Sequence, residues 1–117
     1  LVIFYPLWLG SMPALLKAFL EQVFRPGVAF EYRAQGKMAK KLFTGKSARI
    51  VVTMGMPALV YRWFFLAHSL KSLERNILAF CGIKPTRATL IGQVEGMNER
   101  QRASWLDEMR GLGDVGK

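Results

Sequence analysis

The chain has 117 residues, 51% of them hydrophobic and 21% charged, a balance that suits a folded domain with a real core and excludes a disordered tail. Seventeen Lys+Arg against eight Asp+Glu give a net charge of +9, which favours anionic partners: nucleic acid, anionic lipid or a phosphorylated cofactor. The single cysteine, Cys81, excludes an internal disulfide, and no Cys/His cluster offers a metal site.

Leu1 to Tyr5 is an unbroken apolar run of β-formers, which predicts a fully buried strand. Leu15, Leu16, Phe19, Leu20, Val23 and Phe24 then recur at helical spacing, with Ser11 as the expected N-cap and Pro13 in the first turn. Strand, short apolar loop and helix thus follow one another, and in open α/β sheets ligands bind at the carboxyl ends of strands. Within the loop Trp8 can wall a flat aromatic ligand, Gly10 lets backbone approach it, and the amides of Leu9 to Met12 supply donors. On the residues alone, an ordinary βα loop around a core tryptophan is the favoured reading.

Arg25-Pro26-Gly27 ends the first helix. Val28 to Arg33 is β-prone, residues 34–37 form a turn, and Met38 to Gly45 reads as a loop or a short helical turn. Lys37, Lys40, Lys41 and Lys46 make the densest basic group. No aromatic residues interleave there as a single-strand-binding surface requires, and no nucleic-acid motif accompanies the charge. The group is then a solvated loop or a positive field that attracts a dinucleotide.

Ser47 to Thr53 is the second strand, centred on Ile50, Val51 and Val52. Thr53 places a hydroxyl at its end and Gly55 permits a close backbone approach. Tyr61 to Phe65 is a dense aromatic patch, a pocket wall or an interface. Ser69 to Phe80 is expected as a helix closed by Gly82, with Cys81 as a buried thiol, and Thr86 to Val94 as the third strand. Asn98-Glu99-Arg100-Gln101 has the form of a capping box opening a last helix with a thin apolar face, Ala103, Leu106 and Met109, and residues 111–117 read as a frayed tail. No apolar run reaches the roughly 18 residues of a spanning helix. No signal peptide opens the chain, so the expected location is the cytoplasm.

Three strand–helix units predict an α/β fold with parallel strands. The string Tyr5-Pro6-Leu7-Trp8-Leu9-Gly10-Ser11-Met12-Pro13-Ala14-Leu15-Leu16-Lys17, with Phe24 to Phe30 after it, resembles the flavodoxin-like NAD(P)H:quinone oxidoreductases, the DT-diaphorase family. A second block, Gly45-Lys46, Val51 to Pro57 and Tyr61, resembles that family's next strand and flavin-facing loop. The likeness runs from Leu1 to about Val94. It implies a flavodoxin-like parallel sheet with flanking helices, of which this chain supplies the last three strands of the order 2-1-3-4-5. The N-terminal βαβ part with the phosphate-binding loop is then missing, and residues 1–117 are the C-terminal part of a single flavodoxin-like domain.

The resemblance further implies a flavin cofactor, FMN or FAD, held by Pro6, Leu7, Trp8, Leu9, Gly10, Thr53, Met54, Gly55 and Met56. Met54 and Met56 replace a Thr and a Gly that the family often carries. Tyr61 and His68 are implied as catalytic residues beside the flavin and the acceptor. The implied reaction passes a hydride from NAD(P)H through flavin N5 to a quinone or similar acceptor, by a ping-pong mechanism in a homodimer. The alternative is a non-catalytic or regulatory flavodoxin-like subunit docking on a membrane transport protein.

Overall fold

In the computed structural model, residues 1–34 and 38–116 are described; Lys37 and the centre of the expected 34–37 turn lie outside them. Three strands, β1 (Val2–Pro6), β4 (Ala48–Thr53) and β5 (Thr86–Ile91), form a parallel sheet in the order β1-β4-β5. Pro6 pairs with Thr53, and Thr53 with Ile91, so all three carboxyl ends reach one edge of the sheet. The α/β class and the adjacency of the three strands agree with the sequence reading.

β4 is central, and Ile50, Val51 and Val52 are buried on both of its faces. β1 departs from the expectation of full burial. Ile3 and Tyr5 point into the core, while Val2 and Phe4 on the opposite face are exposed. The covered face carries Ile3, Tyr5, Ile50 and Val52. Packed on it are Leu20 of α1 (Ala14–Val23) and Leu70, Leu73 and Leu78 of a long helical segment. That segment begins as α3 (His68–Ser72), widens into a π-helical stretch (Leu73–Leu78) and ends as α4 (Ala79–Cys81), where Gly82 adopts φ 102°. The sequence predicted a uniform helix from Ser69 to Phe80; the mid-helix widening carries no signature in the residue pattern.

A short antiparallel ladder, β2 (Phe30–Glu31) with β3 (Lys40–Lys41), replaces the loop or helical turn expected within 38–45. It is tied to the helix end by Phe43 N to Cys81 O at 2.9 Å and by Lys41 Nζ to Ala79 O at 2.9 Å. Phe30, Ala29 and Cys81 form a satellite core there, and burial pushes the Cys81 thiol pKa up, so it is the inert buried thiol the sequence suggested.

β5 stops at Ile91, three residues before the predicted end, because Gly92 and Gln93 (φ 55°) turn the chain into a single 3₁₀ turn, Val94–Gly96. The capping box forms as predicted: Gln101 N donates to Asn98 Oδ1 at 2.9 Å, and Asn98 N to Gln101 Oε1 at 3.0 Å. α5 (Glu99–Asp114) runs through Gly111 and Gly113, so the expected frayed tail is helical to Asp114. It returns along the other face of the sheet, where Leu112 lines a cleft with Val2, Arg49 and Arg87.

Tyr61, in α2 (Ala58–Trp63), is 1% exposed. Its hydroxyl sits 2.6 Å from Ser69 Oγ and accepts from Leu70 N at 3.1 Å, pinning α2 to the start of α3. Tyr61→Phe leaves a buried amide and a buried hydroxyl short of a partner, and lowers stability by about 1–3 kcal/mol in denaturant titration. Gly92→Ala puts a methyl 2.4 Å from Ala58 N and 2.8 Å from Met56 O, both backbone atoms. It costs more than the tyrosine change, on the order of 3 kcal/mol or above, read as a fall in thermal midpoint.

Candidate functional site

Three loops leave the shared edge, and hydrogen bonds lock each to the next. Leu7 N, just beyond β1, donates to Thr53 O at 2.7 Å. Met54 N, just beyond β4, donates to Ile91 O at 2.9 Å. Gln93 N and Val94 N, beyond β5, donate back to Met56 O at 3.1 Å and Met54 O at 3.2 Å. Pro6, Leu7, Thr53, Met54, Gly55 and Met56 are therefore brought together, with Trp8, Leu9 and Gly10 beside them.

The first loop is a tight reversal rather than an open strand-to-helix connection. Trp8 N donates to Ser11 O at 2.9 Å and Ser11 N to Trp8 O at 3.0 Å, closing a two-residue turn with Leu9 at φ 48° and Gly10 at φ 75°. Positive φ at both central positions is the type I′ geometry. Glycine adopts it freely, whereas Leu9 is strained and fully exposed at the tip. Trp8 is 63% exposed, which corrects the core-tryptophan reading. Ser11 does not cap α1. That position belongs to Pro13 (φ −55°, ψ 142°), with no side-chain cap, because the closed turn ties up the Ser11 backbone two residues too early.

α2 starts in the same way. Pro57 is its N-cap, at φ −59° and ψ 134°, and again no side chain caps it. Met-Pro-Ala thus occurs twice, as Met12-Pro13-Ala14 and Met56-Pro57-Ala58, each time joining a strand-end loop to a helix. Among the described residues the amides of Leu9, Gly10, Gly55 and Met56 make no hydrogen bond within the protein. The edge therefore carries a row of unspent donors beside an exposed indole, and at Gly10 there is open space where a side chain would stand. A flat ligand with ring carbonyls fits such a set, and an isoalloxazine is one. Met54 contributes backbone alone, since its side chain is buried in the core.

The expected catalytic pair is not assembled at this edge. The Tyr61 hydroxyl, expected to face an acceptor, is buried and committed to Ser69 and Leu70. Tyr5, directly below Pro6, also has a buried hydroxyl, here without a partner among the described residues, and burial raises its pKa. His68 is exposed, and its Nδ1 lies 2.8 Å from Phe65 O. Among the described residues no hydrogen bond of its ring joins it to the loops. The aromatic run after Tyr61 is an open patch, with Trp63 73% and Phe64 79% exposed.

The sequence reading carries the third strand on to Val94 and so runs through the third loop, residues 92–97. Gly92 packs against Ala58 N and Met56 O, and Glu95 Oε1 lies 3.9 Å from the point where a Gly55 side chain would begin. Parallel pairing was the available signal: if β5 shares the edge, its loop must join the other two. Running the strand on to Val94 concealed it.

An FMN-dependent NADH:quinone oxidoreductase from Hahella chejuensis is 39% identical to the chain, over 72% of this chain and 38% of its own length. The human ribosyldihydronicotinamide dehydrogenase (quinone) is 32% identical, over 94% of this chain and 51% of its own length. A Streptococcus mutans protein of known structure superposes with a TM-score of 0.80 at 28% identity, covering 95% of this chain and 58% of that one. The chain spans about half the length of the curated relatives it matches. The family model described as flavodoxin-like fold matches residues 1–111, and with the β1-β4-β5 parallel sheet and its three-loop edge, the chain belongs to that flavodoxin-like family.

Proposed function

We propose that the chain is the flavin-ring-binding part of an NAD(P)H:quinone oxidoreductase. The observation that carries the reading is the row of unpaired amides, from Leu9, Gly10, Gly55 and Met56, beside the exposed indole of Trp8. The names of its relatives, one FMN-dependent and two quinone-directed, support the same reading. When bound, the flavin supplies the two-electron chemistry, receiving a hydride from NAD(P)H and passing it to a quinone or similar acceptor in a ping-pong cycle.

The residues of this chain bind and orient. Pro6 and Leu7 continue the β1 ladder and hold the first loop against Thr53. Trp8 walls the ring. Gly10 leaves room above the turn, while the Gly55 and Met56 amides face ring oxygens. His68 is the remaining candidate for contact with the acceptor, its ring orientation set by the Phe65 carbonyl. FMN and FAD both satisfy the ring loops, which touch what the two share. A cytoplasmic location is part of the proposal; among the described residues no helix is long and apolar enough to cross a membrane.

The exposed run of Trp63, Phe64 and Leu66 favours a protein contact, which suits a homodimer and also the second reading, an ancillary subunit on a membrane transport protein. Turnover distinguishes enzyme from ancillary subunit. The full-length protein is expected to retain flavin with a visible absorption band and to oxidise NAD(P)H with a soluble quinone. Trp8→Ala is expected to weaken flavin binding roughly tenfold, the cost of about 1.4 kcal/mol of stacking, in a fluorescence titration. A protein that binds flavin yet leaves NAD(P)H untouched with several quinones supports the ancillary reading.

A further inference from the structure

Arg49 and Arg87 stand side by side at the amino ends of β4 and β5. The parallel register pairs Val2 with Arg49 and Arg49 with Arg87, so the three side chains leave the same face of the sheet, opposite the main core. Arg49 is the one charged residue of the central strand, which is otherwise apolar but for Thr53. Neighbouring strands lie about 4.8 Å apart, and like charges placed directly opposite each other repel. Among the described residues no anion offsets that repulsion. The ion pairs there are Lys17–Glu21, Lys40–Glu31 and Arg110–Asp107, and neither arginine enters one. Arg49 is half-buried; its Nη1 donates to Thr89 Oγ1 at 3.4 Å, and its Nε is buried without a partner among the described residues. A buried charged donor left unanswered is costly.

Both arginines line a cleft of about 510 Å³, with Val2, Pro85 and Leu112 among its other walls. That volume is in the range of small-molecule sites. Among the described residues no carboxylate lines it. On the α5 side, a side chain at Gly113 would meet nothing within 4 Å, so that wall leaves room. Arg49 lies four residues back along β4 from Thr53 at the candidate flavin edge, roughly 13 Å away. The cleft is therefore at the other end of the sheet from the three loops.

We propose that this cleft is a second binding site, for a small phosphate ester. Two guanidinium forks on adjacent strands can bond one phosphoryl group together, since its oxygens accept several N–H donors at once, the orphaned Arg49 Nε among them. A bound dianion also cancels the repulsion between the two arginines. A carboxylate, with two oxygens and one charge, answers a single fork. Val2, Pro85 and Leu112 offer apolar contact to the body of the ester. The site shares no residue with the candidate flavin edge, so it does not depend on the flavin reading.

The test is calorimetric titration of the full-length protein, as purified, with inorganic phosphate and with phenyl phosphate, against sodium chloride at matched ionic strength as the control for screening. Inorganic phosphate is expected to bind with a Kd on the order of 1 mM, and phenyl phosphate roughly tenfold more tightly through its apolar body. Arg87 is exposed, so Arg87→Gln leaves the fold alone. Arg87→Gln and Arg49→Gln are each expected to weaken both ligands about tenfold or more, with any bound flavin retained. Arg87→Glu sets a carboxylate opposite Arg49. It is expected to abolish binding and to melt no lower than the unaltered protein in phosphate-free buffer. Undiminished binding in both glutamine variants, or a response to chloride equal to that to phosphate, overturns the proposal. Loss of flavin in step with loss of phosphate also overturns it, because the anion then sits with the cofactor. So does a full-length protein that binds neither ligand, because a carboxylate elsewhere in it then answers the arginine pair.

Discussion

The register of β4 between β1 and β5 is the constraint on which the rest depends. Ile3, Tyr5, Ile50 and Val52 share one face because Ile3 lies opposite Ile50 and Tyr5 opposite Val52. A slip of one residue in β4 would send Ile50 and Val52 to the far face and bring Arg49 into the apolar one, where an unpaired guanidinium is costly. The same pairing sets Pro6, Thr53 and Ile91 level at the edge. The site has no separate device to assemble it. Once the core pattern fixes the register, the three loops emerge side by side.

At that edge the chain gives up ordinary local stabilisation. Neither α1 nor α2 has a side-chain cap, and both begin at a proline whose extended ψ delivers the helix without one. Leu9 and Gln93 hold positive φ without being glycine. α5, which starts from the third loop, shows that a full capping box was available to this sequence; there Asn98 and Gln101 satisfy each other's backbone. The uncapped starts and the strained turn tips leave backbone donors facing outward at the place where ring oxygens are proposed to sit. Their cost falls on the parts of the structure nearest the candidate ligand, where such strain concentrates in functional sites generally.

Much of this was legible from the residues. Unbroken runs such as Ile50-Val51-Val52, helical spacing from Leu15 to Phe24, Gly82 as a helix stop and the Asn98–Gln101 box each rest on short-range physics, and each appears as read. The failures share a different cause. The β2–β3 ladder is two residues per strand and owes its existence to contacts with the distant helix end at Ala79 and Cys81. The π-helical stretch has no pattern of its own. Ser11 has the right chemistry for a cap, but the Trp8–Ser11 closure decides its place, and that closure requires Leu9 in a conformation leucine rarely adopts. Local rules fail where a tertiary or strained contact overrides them.

Tyr61 shows the same override acting on function. Polar-capable residues of a short helix usually face water and apolar ones face the core; α2 inverts this. Tyr61 is buried, while Leu59, Trp63 and the flanking Phe64 lie open. The inversion follows from what the core needs at that point. Ser69 and the Leu70 amide are polar groups at the start of an uncapped helix, pressed against the sheet, and an aliphatic side chain there would leave both unsatisfied. The phenol is the group that fills the space and also answers them, which takes it out of contact with any acceptor at the edge. Helical geometry then turns the other large side chains of α2 outward. The exposed aromatic surface and the buried tyrosine are two results of one orientation of α2, so a change that rotated this helix would alter the core and the patch together.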